Sequence, residues 1–112
     1  MNRRIWWLAG GGVAFAIVVA AAGFAFAERL ATQPWRPGAP PRVVEIPVGY
    51  GLDEVGNLLA REGVIRSSFV FQLYAWRHGL NEQLQAGEYE LGPGMSSAEI
   101  ADRIARGEVR PR

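Results

Sequence analysis

A run of 23 residues without a charged side chain, residues 5–27, constrains this chain more than any other feature. Its sequence is IWWLAGGGVAFAIVVAAAGFAFA. As an α-helix it would be about 35 Å long, against a bilayer hydrocarbon thickness of roughly 30 Å. A helix that is apolar on every face would need a much larger protein around it to be buried in a soluble fold. The sequence therefore predicts a transmembrane helix over 5–27.

The residues before this segment predict its orientation. Arg3 and Arg4 lie on the short N-terminal side, and positive charge there favours a cytoplasmic N-terminus. Residues 1–4 are therefore predicted to be a cytoplasmic tail, with the rest of the chain on the extracytoplasmic side. Trp6 and Trp7 lie where an interfacial aromatic belt is expected.

A cleaved signal peptide is the alternative to a permanent anchor. Ala25-Phe26-Ala27 has the small-x-small form of a signal-peptidase site. The apolar core of a signal peptide usually runs about 7–15 residues, so the greater length here favours a signal anchor. Under either interpretation the remaining chain lies outside the cytoplasm.

The polar composition excludes several classes of function. Twelve basic residues, all of them Arg, nearly balance eleven acidic ones, so no field steers the chain to nucleic acid. The chain has no Cys, which excludes disulfides and thiolate chemistry. His78 is the only His, so no metal ion or other cofactor is expected.

A proline-rich segment separates the apolar run from the rest. Residues 28–42 contain four prolines and are predicted to be an extended, semi-rigid linker that lifts the following domain off the membrane. Residues 43–110 are the only candidate folded domain. A domain of about 70 residues buries only around 60% of its unfolded surface, so its local signals must be good.

Local patterns in this domain predict a fold of the α+β class. The order is β-α-α-β followed by an extra C-terminal helix. The predicted elements are a strand at 43–46, a helix at about 52–62, a helix capped by Ser67 or Ser68 that ends near His78, a strand at 88–91, and a helix that starts with a Ser96–Glu99 capping box.

One aromatic face on the second helix of the domain is predicted to pack in the core. A sugar-stacking surface is the alternative interpretation of this face. Its members are Phe69, Val70, Leu73, Tyr74 and Trp76.

The two ends of the domain resemble each other at an offset of 45 residues. Val44 corresponds to Tyr89, Gly49 to Gly94, and each half reads as a strand, a Gly turn and an amphipathic helix. A single such unit cannot bury its own apolar face, whereas two paired units can. Two copies are too few to exclude coincidence, so a true repeat and a chance similarity both remain open.

No group of side chains in the sequence forms a catalytic constellation. Glu88 and Glu90 share one face of their strand, and paired carboxylates are used in glycoside hydrolysis. Two acids flanking a tyrosine on an exposed strand are more simply a solvated surface. Ser67 and Ser68 are interpreted as helix caps because no base accompanies either of them.

The domain resembles a known family once these patterns are read together. The motifs are V-x-I-P-x-G-(x)5-V-(x)2-L-L-(x)3-G-V-I over 44–65, L-Q-A-G-E-Y-x-L over 84–91 and G-M-S-x-x-E-I-(x)3-I-(x)2-G over 94–107. In this order, after a membrane helix and a proline-rich spacer, they resemble the N-terminal part of the endolytic murein transglycosylase family (MltG, YceG-like). Gly51 departs from the Ser or Thr that the family often has at this helix cap.

The resemblance implies a single-pass protein of the cell inner membrane that carries a LysM-like module at 43–110 in the periplasm. Members of the family cut nascent peptidoglycan glycan strands internally and leave 1,6-anhydro ends, and their catalytic Glu lies in a downstream domain. No residue here matches that Glu, so no catalytic residue is predicted and the chain is expected to be inactive alone. The family chain would continue beyond Val109, so a fragment is expected.

Likeness to LysM modules places glycan contacts in a groove between the first helix of the domain and the second strand. The residues predicted to line it are Gly49, Tyr50, Gly51 and Tyr89. The expected partners are the membrane, peptidoglycan glycan strands and proteins of cell-wall synthesis. The alternative function is a membrane-anchored adaptor that docks cell-wall proteins and binds no sugar.

Overall fold

The computed structural model describes residues 3–110. The chain forms four helices and one two-stranded sheet over these residues. The elements are α1 (Arg3–Ala31), β1 (Arg42–Ile46), α2 (Leu52–Arg61), α3 (Ser68–Arg77), β2 (Gly87–Leu91) and α4 (Ser97–Arg106). The predicted α+β class and order of elements are confirmed.

Helix α1 is one continuous element that is long and apolar enough to cross a membrane. It continues past the predicted span of 5–27 and ends at Ala31, whose side chain is 0% exposed in the core of the domain. The side chains of Trp6 and Trp7, and the ends of the chain at residues 1–2 and 111–112, lie outside the part that the structure describes.

The two strands pair antiparallel, and their register is symmetric about one residue pair. Val44 pairs with Tyr89, which is also its counterpart at the 45-residue offset. Residues alternate between the two faces, so Val44 and Ile46 of β1 and Tyr89 and Leu91 of β2 all point to the helices and are buried.

The core lies between this face of the sheet and the helices. Its largest fully buried side chains are Tyr89, Phe71, Leu59, Leu91, Ile100, Ile104, Val55 and Val64. The predicted aromatic core face on α3 is partly wrong. Tyr74 is buried, but Phe69 and Trp76 are exposed, because the buried side of α3 is formed by Phe71, Tyr74 and Ala75.

The resemblance between the two ends of the domain extends to the structure. The strand and the helix of the second unit begin and end 45 residues after their counterparts in the first. Buried positions correspond as well, since Val55 and Leu59 of α2 are matched by Ile100 and Ile104 of α4. The shared bounds and burial favour a true repeat over coincidence.

The proline-rich segment lies against the domain instead of standing away from it. Pro34 forms an isolated β-bridge with Ser96, and the backbone N–H of Arg36 donates to the carbonyl of Pro93 at 2.7 Å. A side chain at Gly94 would bring its Cβ within 2.7 Å of the carbonyl oxygen of Ala39. The segment is not extended throughout, because it makes a turn in which the N–H of Ala39 donates to the carbonyl of Arg36 at 3.1 Å and Gly38 has φ +83°. Its backbone is held by the turn between β2 and α4.

Candidate glycan-binding site

The turn between β1 and α2 carries three of the four predicted glycan-binding residues. Gly49 has φ +90°, a conformation that side-chain-bearing residues rarely adopt, and no atom lies within 4 Å of where its Cβ would be. Tyr50 packs partly against the core, and its N–H donates to the carbonyl of Pro47 at 3.4 Å. Val48 is 90% exposed, so the turn presents open backbone to solvent.

Gly51 is the N-cap of α2 and offers no side chain to the first turn of the helix. Its own N–H donates to Oε1 of Glu54 at 3.3 Å. Asp53 and Glu54 in this first turn complement the positive end of the helix dipole.

Tyr89 lies apart from the other three predicted residues. Its side chain is 0% exposed beneath the sheet, and its hydroxyl donates to the carbonyl of Gln85 at 2.7 Å. Burial raises the pKa of Tyr89 above its usual value of about 10. A core residue with a satisfied hydroxyl offers no surface to a glycan, so the predicted contact at Tyr89 is corrected to a structural role.

An open groove of about 370 Å³ begins next to the turn. It runs from the end of β1 across the start of β2 to the C-terminal residues of the described chain. Its lining residues are Glu45, Ile46, Pro47, Val48, Ala86, Gly87, Glu88, Val109 and Arg110. The groove therefore lies at one end of the sheet, and α2 contributes no residue to its lining, unlike the groove expected from the sequence.

The strand register places two carboxylate side chains in this groove. Glu45 and Glu88 are directly paired across the sheet and both are exposed. Like charges at paired positions destabilise a sheet, so this pair is a candidate for a role in binding. Glu88 was predicted to share a strand face with Glu90, and Glu45 was not among the predicted residues. The 45-residue offset between the two units could have indicated this pair. If Val44 pairs antiparallel with its counterpart Tyr89, Glu45 comes to lie opposite Glu88.

Arg110 adds the only basic group that lines the groove within residues 3–110. Its backbone N–H donates to the carbonyl of Glu88 at 2.7 Å, so residues 109–110 run along the outer edge of β2. Its side-chain Nε lies 4.0 Å from Oε1 of Glu90, and both side chains are about half exposed. Carboxylates and a guanidinium at an open groove can accept and donate hydrogen bonds to sugar hydroxyls.

A second polar cluster joins α1 to α3, outside the groove. Oε1 of Glu28 lies 2.7 Å from Nε2 of His78, and Oε2 lies 3.4 Å from Nη1 of Arg77. The ring of Tyr74 stacks on His78 with a centroid distance of 4.1 Å. Burial raises the pKa of Tyr74, and the nearby carboxylates of Asp102 and Glu28 raise it further.

Metal ligands do not assemble anywhere in the described part of the chain. No group of three or more His, Cys, Asp or Glu side chains within residues 3–110 could hold an ion. The groove gathers carboxylates and a guanidinium, which are hydrogen-bonding groups that suit recognition of a polar ligand.

Comparison with known proteins identifies the domain. A family model described as the YceG-like family matches residues 44–112. A crystal structure of a protein described as YceG-like from Listeria monocytogenes resembles the chain with a TM-score of 0.58 and 28% sequence identity. That match covers 62% of this chain and 23% of the Listeria protein. A comparison with curated proteins gave no match.

The matched residues contain both strand–turn–helix units, the groove and the Gly49–Gly51 turn. The motifs that suggested the family from the sequence lie on these same elements. The family match covers well over half of the chain, and the structural match agrees with it. The chain belongs to the YceG-like family.

Proposed function

We propose that this chain is the membrane-anchoring and glycan-positioning part of an endolytic peptidoglycan lytic transglycosylase. The α1 helix anchors it in the cell inner membrane, and the domain lies in the periplasm, where it holds a glycan strand for cleavage by a catalytic Glu elsewhere. The observation that carries the proposal is the YceG-like match over the whole folded domain.

The groove at the end of the sheet supports the glycan-positioning role. It is open to solvent, and it combines Glu45, Glu88 and Arg110 with the apolar side chain of Val48. Sugars present hydroxyl groups around an apolar ring, so they suit a surface that mixes hydrogen-bonding and apolar groups. The exposed backbone at Gly49–Gly51 adjoins this groove and extends the proposed contact surface.

The continuity of α1 supports a retained anchor rather than a cleaved signal peptide. The helix passes through Ala27 without a break and ends at Ala31, inside the core of the domain. Glu28, directly after Ala27, is paired with two residues of α3. Removal of residues 1–27 would leave these last helical residues without most of their helix.

Retention of the full chain in detergent on purified peptidoglycan tests the proposal. We expect chitooligosaccharide to compete with retention. The variant E45Q/E88Q is expected to lose about tenfold or more in affinity, because hydrogen bonds to charged groups contribute about 1.5–3 kcal/mol. E82Q changes an exposed carboxylate outside the groove and is the matched control, with retention unchanged.

Two results would contradict the proposal. Retention that persists in E45Q/E88Q and ignores chitooligosaccharide would favour the adaptor that binds proteins of cell-wall synthesis. Formation of anhydro sugar ends by this chain alone would show that it cleaves glycan itself.

A further inference from the structure

The junction between α1 and α3 fixes the depth of α3 relative to the apolar part of α1. Glu28 is the first charged residue after the apolar run of residues 5–27, so it marks the end of that run. Its carboxylate contacts both His78 and Arg77 at the end of α3, at 2.7 Å and 3.4 Å. The C-terminal end of α3 therefore lies level with the boundary between the apolar and polar parts of α1.

The direction of α3 follows from a cavity that α1 and α3 both line. Leu30 of α1 and Val70 of α3 line the same cavity, whereas Glu28 contacts Arg77. Moving along α1 away from its apolar part thus corresponds to moving backwards along α3. The N-terminal end of α3 points away from the apolar run, and its C-terminal end points toward it.

Trp76 lies at the C-terminal end of α3, and its side chain is exposed. It is 61% exposed, contrary to the sequence prediction that placed it in the core. The arginine that follows it is also about half exposed. Indole rings favour the membrane–water interface, where their apolar body and their polar N–H are both accommodated. Arginine side chains next to the bilayer place their guanidinium among the headgroups.

We propose that the C-terminal end of α3 rests on the outer surface of the bilayer that α1 spans, with Trp76 in the lipid headgroup region. The proposal rests on the membrane anchor of the proposed function. The domain then contacts the membrane at two points, α1 and Trp76, and its tilt relative to the bilayer is fixed. Ala31 packs in the core and Glu28 pairs with His78, so the last turn of α1 is attached to the domain at two points.

The position of Trp76 near the apolar run of α1 favours the bilayer, rather than a protein partner, as the occupant of this surface. Phe69 shares the exposed side of α3 with Trp76 but lies seven residues earlier, about 10 Å away along α3, toward the end that points away from the apolar run. A protein docking on α3 would cover both aromatic side chains. The bilayer would reach Trp76 alone.

Fluorescence quenching by lipids with a headgroup spin label tests this placement. The full chain is reconstituted in phosphatidylcholine–phosphatidylglycerol vesicles as single-Trp variants, with the other three tryptophans changed to Phe. We expect the Trp76 and Trp6 variants to lose a comparable share of emission. Trp35, which lines a cavity with Pro34 and Met95 beyond the end of α1, should lose little.

A Trp placed at Phe69 (F69W) in a chain without other tryptophans is the matched control on the same face of α3. It should lose as little emission as Trp35 does. Quenching of Trp6 without quenching of Trp76 would overturn the proposal and leave the anchor intact. Quenching of neither would overturn the anchor itself. Equal quenching of Trp76 and F69W would overturn the depth assigned to α3. Far-ultraviolet circular dichroism verifies that each variant is folded.

Discussion

The two strand–turn–helix units of the domain have the same elements but different turns. The turn of the second unit, Gly92–Met95, is covered by the proline-rich segment, whose Arg36 donates a backbone hydrogen bond to it. The turn of the first unit, Pro47–Tyr50, is open. The repeated sequence therefore determines the elements and the core, whereas the surroundings determine what each turn can contact.

Corresponding glycines illustrate this difference. Gly49 is required by its own backbone, since φ is +90° and nothing lies near its missing Cβ. Gly94 has no such conformation and is required by a neighbour, because a Cβ there would collide with the backbone of Ala39. The same residue type at equivalent positions thus has one local reason and one tertiary reason.

The largest expected effect comes from truncating equivalent core residues. L59A and I104A each remove a fully buried side chain at matching positions of α2 and α4. We expect each to lower the free energy of unfolding by about 2–5 kcal/mol. Urea unfolding of the full chain in detergent, followed by Trp fluorescence, measures the loss. V48A, at an exposed position, should change it by less than about 0.5 kcal/mol. A large loss from only one of the two truncations would contradict equal roles for the units.

Substitution of Gly49 and Gly94 by Ala should distinguish the requirement for a positive φ at Gly49 from the steric requirement at Gly94. G94A is expected to displace the proline-rich segment and to cost about 1–3 kcal/mol, since backbone rather than a flexible side chain opposes the new methyl group. G49A should cost about 1–2 kcal/mol through φ alone. Amide hydrogen exchange distinguishes the two, because only G94A should expose the N–H of Arg36. Exposure of that N–H in G49A as well would contradict the assignment.

Val44 and Tyr89, the central pair of the sheet, differ in that only Tyr89 can ionise. Y89F removes the hydroxyl that donates to Gln85 and should cost about 0.5–1.5 kcal/mol at neutral pH. Because burial raises the pKa of Tyr89, the neutral form stabilises the fold. This contribution is complete below pH 10 and is lost as the pH rises through the folded-state pKa. Urea unfolding as a function of pH should therefore show a steeper alkaline loss for the parent chain than for Y89F, and identical slopes would contradict it.

The smallest effects are expected at the helix caps. The Oγ of Ser96 accepts the N–H of Glu99 at 3.1 Å, so S96A should cost about 1 kcal/mol. Gly51 lacks such a group, and its extended backbone has room for a side chain, so G51S should gain a few tenths of a kcal/mol. Thermal unfolding of both variants beside the parent chain measures the two shifts. A loss of stability in G51S would show that a serine side chain at the N-cap does not stabilise α2.

The elements of the domain could be predicted because their signals are local. The glycine turns, the Ser96 cap and the alternation around Tyr89 follow from neighbouring residues and need no tertiary information. The contents of the candidate site could not be predicted in the same way. Pairing of Glu45 with Glu88 depends on strand register, which is a long-range property. The orientation of the aromatic residues of α3 was not predicted correctly because this helix contacts three other helices, α1, α2 and α4. Which of its residues are buried therefore depends on tertiary packing.

The continuity of α1 into the core makes the domain sensitive to helical phase. Each residue of an α-helix adds about 1.5 Å of height and about 100° of rotation. One residue inserted between Ala27 and Glu28 would turn the whole domain through more than a quarter of a circle around the α1 axis while moving it only about 1.5 Å along that axis. The direction in which the groove at the end of the sheet faces around the α1 axis thus depends on the length of α1, residue by residue.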